Sequence, residues 1–343
     1  MHADTPYDDL TPDLVLDALE AVGQEVDGRL LQLNSYENRV FQVGLEDGQF
    51  VVAKFYRPGR WSDAQILEEH AFANELVAAE VPAVPPLTLQ LAQGREASLQ
   101  GTPPTLGFFK GHRVAVSPRR GGRSPELEDP EVLTWLGRFL ARMHAVGAQR
   151  PFAHRLTLDV DHTGRSARQW LSDSDSLPME TRNSWLAVTD QALDLCQQAF
   201  DRVSGLQMRR LHGDCHPGNI LWTPQGPHFV DLDDACMGPA VQDFWMMLSG
   251  DPRDRQIQLN ALLDGYESIG EFDWRELKLI EPLRTLRIIH HSAWLARRWD
   301  DPAFPAAFPW FGSGNYWQQQ IDLLRQQIEI MQTPDDQPAW MQG

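Results

Sequence analysis

Asp214, Asn219 and Asp231 stand close together in the chain. They lie within Leu211-His212-Gly213-Asp214-Cys215-His216-Pro217-Gly218-Asn219-Ile220 and the following Phe229-Val230-Asp231-Leu232-Asp233-Asp234. Four residues separate Asp214 from Asn219, and Pro217-Gly218 supplies a turn able to swing the amide back towards the acid. Ile220-Leu221-Trp222 reads as a short strand, Pro224-Gln225-Gly226 as a turn and Phe229-Val230 as the returning strand. Such a hairpin delivers Asp231 beside Asn219, giving two hard-oxygen ligands of the kind Mg²⁺ prefers. A carboxylate near an attacking hydroxyl, oxygen ligands for Mg²⁺ and cations on the phosphates are the needs of phosphoryl transfer from a nucleotide.

The cation must come from elsewhere. Val40, Phe41 and Val43 mark one strand, Phe50 to Tyr56 a second, and Glu46-Asp47-Gly48-Gln49 the turn between them. Alternation places Lys54 on the face of Phe50, Val52 and Tyr56, with Val51, Ala53 and Phe55 turned to a core. An ammonium on an apolar face is costly without a partner, so a phosphate anchor is one reading. A strand-edge lysine snorkelling into water is the other. The turn from Leu33 to Arg39 contains no glycine, so no glycine-rich phosphate loop is present. Ser35 and Asn38 could still meet phosphate through hydroxyl, amide and backbone N–H groups, or simply hold the turn. Ser62-Asp63-Ala64-Gln65 opens a helix whose acids Glu68, Glu69 and Glu75 are candidate partners for Lys54, or members of a solvated face.

The motif His-Gly-Asp-x-His-x-Gly-Asn with Val-Asp behind it resembles the aminoglycoside phosphotransferase and choline kinase superfamily, whose members have a eukaryotic-kinase-like fold. Four further segments narrow the resemblance to the RdoA-type bacterial stress-response Ser/Thr kinases: Asn34 to Val40, Lys54 to Pro58, Leu232 to Ala235, and Glu281-Pro282-Leu283-Arg284 through Pro305. The resemblance implies an α+β, two-lobed protein-kinase-like fold. A small antiparallel-sheet N-lobe over 1–117 would bind nucleotide, and a mostly helical C-lobe over 118–343 would carry the catalytic loop and acceptor-binding helices. ATP with Mg²⁺ is expected between them. By the same resemblance Ser35 contacts ATP, Lys54 holds the α/β-phosphates and Glu69 positions Lys54. Glu69 fits because the superfamily Glu precedes a Leu by seven, here Leu76; Glu68 is the substitute. Asn219 and Asp231 would bind Mg²⁺, Asp214 would orient or deprotonate the acceptor hydroxyl, and Asp243 would brace the loop or cap a helix. The implied activity is γ-phosphate transfer to Ser/Thr of a protein. The alternatives are transfer to a small amino alcohol, antibiotic or sugar, or a nucleotide-binding pseudokinase that has lost the glycine-rich loop.

Composition sets the limits. A chain of 343 residues, 42% hydrophobic with 12 Trp, can bury two cores. A net charge of −18 argues against nucleic acid or anionic lipid as partners. The first ten residues carry acids and no apolar core, so no secretory leader is expected. No apolar run approaches the ~20 residues of a membrane span. Cys196, Cys215 and Cys236 lack metal-site spacing, and reduced thiols in a cytoplasmic monomer are expected. Cys215 and Cys236 flank the motif, where space-filling is favoured over a redox switch. His212 and His216 could serve zinc, but the spacing reads as loop scaffolding around an oxygen site.

Elsewhere, Thr11-Pro12-Asp13 caps a helix carrying Val15, Ala18, Leu19 and Val22. Ala115-Val116-Ser117-Pro118 reads as an extended hinge whose backbone could meet adenine. Leu133, Leu136, Phe139, Leu140 and Met143 recur at helical spacing, and His144 at the end reads as structural. There is no Ser, Thr or Tyr from Asp231 through Leu248, so an activation-loop phosphorylation switch has no acceptor there. By resemblance the late helices form the acceptor site, with Trp310, Phe311 and Tyr316 as candidates. The last helix is expected to stop before Pro334.

Overall fold

A computed structural model describes residues 6–90 and 104–333. The stretch read for a leader begins outside these residues, and Pro334, the expected helix stop, also lies outside them. The chain divides into two compact units: Met1–Ser124 with Ala153–Arg155 and Gly218–Asp233, and Pro125–Phe152 with Leu156–Pro217 and Asp234–Gly343. The first unit therefore extends past residue 117 and also takes in the Asn219–Asp231 hairpin. Long-range backbone bonds explain this grouping: Val84 N donates to Phe229 O, and Arg123 and Trp222 exchange N–H···O bonds.

In the first unit, α1 (Pro12–Ala21) starts where Thr11 Oγ1 accepts from Leu14 N, and Val15, Ala18 and Leu19 are its buried face. Strands β1 (Val26–Leu33), β2 (Arg39–Leu45), β3 (Phe50–Phe55), β4 (Gly107–Phe109) and β5 (His112–Pro118) form an antiparallel sheet in the order β1-β2-β3-β5-β4. Gly48 at φ +82° closes the β2–β3 turn, where an L side chain would be strained. Burial alternates along β3 as expected. Val51, Ala53 and Phe55 join Val15, Leu19, Phe41, Val43, Val114 and Val116 in one core, while Lys54 faces away. β1 was not apparent in the sequence because its burial pattern does not alternate; it is an edge strand with a largely polar face.

Helix α2 (Asp63–Ala78) opens with a reciprocal capping box between Ser62 and Gln65. It buries Ile66, Phe72 and Leu76 together with the polar Glu69 and His70, while Val77 is exposed. The hairpin pairs Ile220–Thr223 with Gly226–Phe229, Ile220 opposite Phe229.

The second unit is helical: α3 (Pro130–Gly147), α4 (Ser166–Asp173), α5 (Met179–Arg202), α6 (Gln242–Trp245), α7 (Pro252–Glu267), α8 (Ile280–Arg297), α9 (Ala303–Ala307) and α10 (Gly314–Met331). Its principal core gathers Trp185, Leu193, Leu286, Ile289, Phe304, Trp317 and Leu324. Phe311 and Tyr316, expected at an acceptor surface, are buried in this core; Trp310 alone of the three is exposed. Tyr316 and Trp317 open α10 on its packed side, and Phe311 packs against Tyr316 there. Gly137 and Gly265 allow α3 and α7 to touch, because a Cβ on either would lie within 2.1 Å of the other helix's carbonyl oxygen. Among the described residues, no helix is long and apolar enough to cross a membrane.

Candidate active site

The first unit holds a lysine–carboxylate pair. Lys54 Nζ lies 2.8 Å from Asp231 Oδ1 and 4.0 Å from Asp233 Oδ1. Burial opposes the ammonium, yet the two aspartates outweigh it and hold the Lys54 pKa well above its ordinary value. Asp231 adopts φ +59°, a left-handed conformation that costs a non-glycine residue about 1–3 kcal/mol. Its side chain remains 52% exposed. Across the hairpin Val230 N donates to Asn219 O at 3.0 Å, so residue 219 sits at the same open end as Asp231.

Asp233 is buried more deeply and ties the surrounding elements together. Its Oδ2 accepts from Asn38 Nδ2 at 3.0 Å and from Arg60 Nη1, while its backbone carbonyl accepts from Arg155 Nη2. Burial alone would raise its pKa; Arg60, Lys54 and Arg155 together hold it below the usual carboxylate range. Nothing local in the sequence signals this partner, which lies 195 residues away.

In the turn between β1 and β2 the structure favours one of the two readings of Asn38, the one in which its side chain holds the turn. The Asn38 Nδ2 donates to Asp233 and its Oδ1 accepts from Arg57 N at 3.1 Å. Both ends of the amide are used within the protein. Ser35 is half-buried in that turn.

The two glutamates of α2 have separate jobs. Glu68 Oε1 accepts from Ala153 N, and its Oε2 from His154 N and Arg155 N at 2.9 and 3.0 Å. That carboxylate is fully engaged on a loop and is no partner for Lys54. Glu69, expected to bind Lys54, does not touch it; the ammonium is taken by Asp231. Glu69 is 6% exposed, its Oε2 accepts no hydrogen bond among the described residues, and the His70 Nε2 lying 3.7 Å away belongs to an imidazole that burial keeps neutral. Burial pushes its pKa up to about 7 despite the attraction of Lys54 and Arg155.

The second unit carries Asp214. Its Oδ1 is 2.7 Å from Arg287 Nη1 on α8, and its Oδ2 is 3.4 Å from His216 Nε2. Burial would raise its pKa, but the His216 hydrogen bond and the Arg287 charge prevail and hold it below the usual carboxylate range. Asp214 is therefore ionised, better suited to orienting a hydroxyl than to keeping its proton. The backbone before it is fixed by Asp243, fully buried on α6, whose carboxylate accepts from His212 N at 3.0 Å and Gly213 N at 2.9 Å. His144, kept neutral by burial, meets the same carboxylate at 3.1 Å from Nε2. Gly213 has φ +83°, and a Cβ there would fall 2.2 Å from Asp234 O, so no other residue fits. Cys215 is buried with its thiol pKa pushed well above normal, which favours packing over redox chemistry.

The donor set suits Mg²⁺. Asn219 and Asp231 offer hard oxygens at one hairpin end, and among the described residues no group of three or more His, Cys, Asp or Glu could cage an ion by itself. That combination fits a metal whose remaining ligands are water and substrate phosphate, as is usual for Mg²⁺. Among the described residues zinc has no assembled ligand set at His212 and His216.

Stress response kinase A of Salmonella choleraesuis (strain SC-B67) is 43% identical over 328 residues, covering 96% of this chain and 95% of that protein. The serine/threonine protein kinase RdoA of Salmonella typhimurium (strain LT2) and stress response kinase A of Escherichia coli (strain K12) are each 42% identical over the same lengths. Among solved structures, amicoumacin kinase hAmiN, in complex with AMP-PNP, Ca²⁺ and Ami, matches 95% of this chain and 94% of its own with TM-score 0.72 at 18% identity. A microcompartment-associated aminopropanol kinase matches 92% of this chain and 96% of its own with TM-score 0.65, also at 18% identity. These two show the α+β kinase-like phosphotransferase fold. The family model described as "Phosphotransferase enzyme family" matches residues 29–280, and the chain belongs to that family.

Proposed function

We propose that the protein is an ATP- and Mg²⁺-dependent serine/threonine protein kinase acting in a bacterial stress response. The observation that carries the chemistry is the Lys54–Asp231 pair at the end of the Asn219 hairpin, which sets a phosphate-seeking cation against a metal-seeking carboxylate. Full-length similarity to a relative named as a Ser/Thr protein kinase supports the acceptor class.

In this reading Lys54 holds the α/β-phosphates and Ser35 contributes a hydroxyl to the nucleotide. Glu69 stands by to take up the lysine once Asp231 turns to the metal. Asn219 and Asp231 would hold Mg²⁺, which neutralises charge on the β- and γ-phosphates. Asp214 accepts the hydrogen bond of the acceptor hydroxyl and aims its oxygen at the γ-phosphorus. The new P–O bond forms as the bond to the β–γ bridging oxygen breaks, ADP leaves with that electron pair, and the hydroxyl proton passes late to the Asp214 carboxylate and from there to solvent. The protein is read as a cytoplasmic monomer that works without phosphorylation between Asp231 and Leu248.

Offering γ-labelled ATP and Mg²⁺ to the pure protein with generic proteins and a panel of small hydroxyl compounds tests this. Label on Ser or Thr of protein is expected. Label entering small molecules alone would replace the acceptor assignment, and nucleotide binding without turnover would make the protein a pseudokinase.

A further inference from the structure

Arg287 is the cation that no motif anticipated. It stands on α8 with its side chain 48% exposed, and its one ion pair among the described residues is the 2.7 Å contact with Asp214. It therefore occupies an oxygen of the carboxylate that an acceptor hydroxyl must approach. One turn on, at the same face, is His291, stacked on Trp294 with ring centroids 5.5 Å apart and an interplanar angle of 23°. Arg298 Cζ lies 5.6 Å from the Trp294 ring, and Arg298 Nη1 donates to Trp294 O, so that arginine is already engaged. Arg284 is engaged as well, by Glu281 at 3.1 Å and by the Trp245 ring. The field at this face is positive: burial and then Arg287 lower the His291 pKa, and Arg287 also contributes to lowering that of His290. In a chain of net charge −18 such a local cation is against the general trend.

We infer that Arg287 reads an anionic group beside the acceptor hydroxyl. The inference rests on the kinase reading of Asp214 and adds the class of acceptor to it. An acceptor carrying a carboxylate or phosphate next to its hydroxyl offers Arg287 a replacement partner in the bidentate geometry guanidinium favours. The guanidinium then swings from Asp214 to the incoming anion, and the freed Oδ1 receives the hydroxyl. An acceptor with an ammonium in that place meets repulsion and leaves Asp214 covered, so discrimination is built partly from a disfavoured contact. The acceptor in the protein setting is a Ser or Thr flanked by acidic residues. Among small molecules it is a hydroxy acid or sugar acid rather than an amino alcohol.

The experiment uses the full chain with labelled ATP, Mg²⁺ and matched Ser peptides that differ only in Glu, Gln or Lys beside the acceptor. A parallel arm offers a hydroxy acid and an amino alcohol. Wild type is expected to favour Glu over Lys by about tenfold in kcat/KM, chiefly through KM, with the Gln peptide between them. Arg287→Gln should shrink that ratio to within about twofold, and Arg287→Glu should reverse it. Circular dichroism and nucleotide affinity report whether each variant is folded. Equal use of the three peptides by wild type, or an unchanged ratio in folded Arg287→Glu, would overturn the inference while leaving the kinase reading intact. Label confined to small acceptors would instead overturn the protein-acceptor reading, and the hydroxy acid to amino alcohol ratio would then judge Arg287 by the same criterion.

Discussion

Lys54 and Asp231 lie 177 residues apart in sequence and share a 2.8 Å contact between Nζ and Oδ1. Each neutralises the other where nucleotide phosphate and metal would otherwise do so. Under the proposed function, Mg²⁺ and ATP would bind here by exchange of partners, while in the chain itself the aspartate charges hold the lysine pKa up.

Lys54→Ala should lower kcat/KM for ATP by about 100-fold or more, the scale expected when a cation aimed at developing phosphate charge is removed. Steady-state kinetics with a filter-binding assay for nucleotide would check it. Activity within a few-fold of wild type would show that Lys54 is a structural partner of Asp231 and nothing more.

Asp214→Ala is expected to cut transfer by about 10²–10⁴-fold while ATP binding and the folded state persist. The pH dependence has a definite sign. Because the Asp214 pKa is depressed in the folded state, its ion pairs stabilise the protein above the ordinary value of 3.8 and are lost as pH falls through the depressed value. Urea melts of wild type and Asp214→Asn should therefore differ at neutral pH and converge only in strong acid.

Glu69 has the opposite sign. Its pKa rises from an ordinary 4.5 to about 7, so the neutral acid is favoured in the fold. That contribution is complete below pH 4.5 and is lost as pH rises through about 7, leaving a burdened carboxylate. Glu69→Gln should flatten the stability profile across this window and gain roughly 1–3 kcal/mol at pH 8. The same variant should bind ATP more weakly if Glu69 takes over Lys54 in the nucleotide complex, and calorimetry with ATP and Mg²⁺ would detect it.

Asp243→Ala strands His212 N and Gly213 N without their acceptor in a fully buried setting, which should cost about 2–5 kcal/mol. Asp243→Asn retains one acceptor oxygen and should lose less. In the folded fraction of either variant kcat should fall more than nucleotide affinity, because the braced loop carries Asp214 while Lys54 and Asp231 belong to the other unit. Equal losses in both quantities would remove the positioning role.

Local rules account for a good deal of this architecture. The Thr11 and Ser62 caps, the alternation along Phe50–Phe55 and the hairpin behind Asn219 are all short-range, decided within a few residues by φ preferences, hydrogen-bond needs and side-chain period. Asp214, Asn219, Asp231 and Lys54 could be nominated for the same reason, since their spacing and strand position are properties of short segments. The choice among partners could not. Whether Lys54 meets Asp231 or Glu69, why Glu68 holds residues 153–155, and how Asn38 comes to serve Asp233 depend on contacts between segments roughly 80 to 200 residues apart. So does the arrival of Arg287 at Asp214, 73 residues away. An acidic or basic side chain looks alike on every solvated face of a helix or strand. Burial, by making an unpaired charge expensive, selects one partner from several, and burial exists only once the chain has packed.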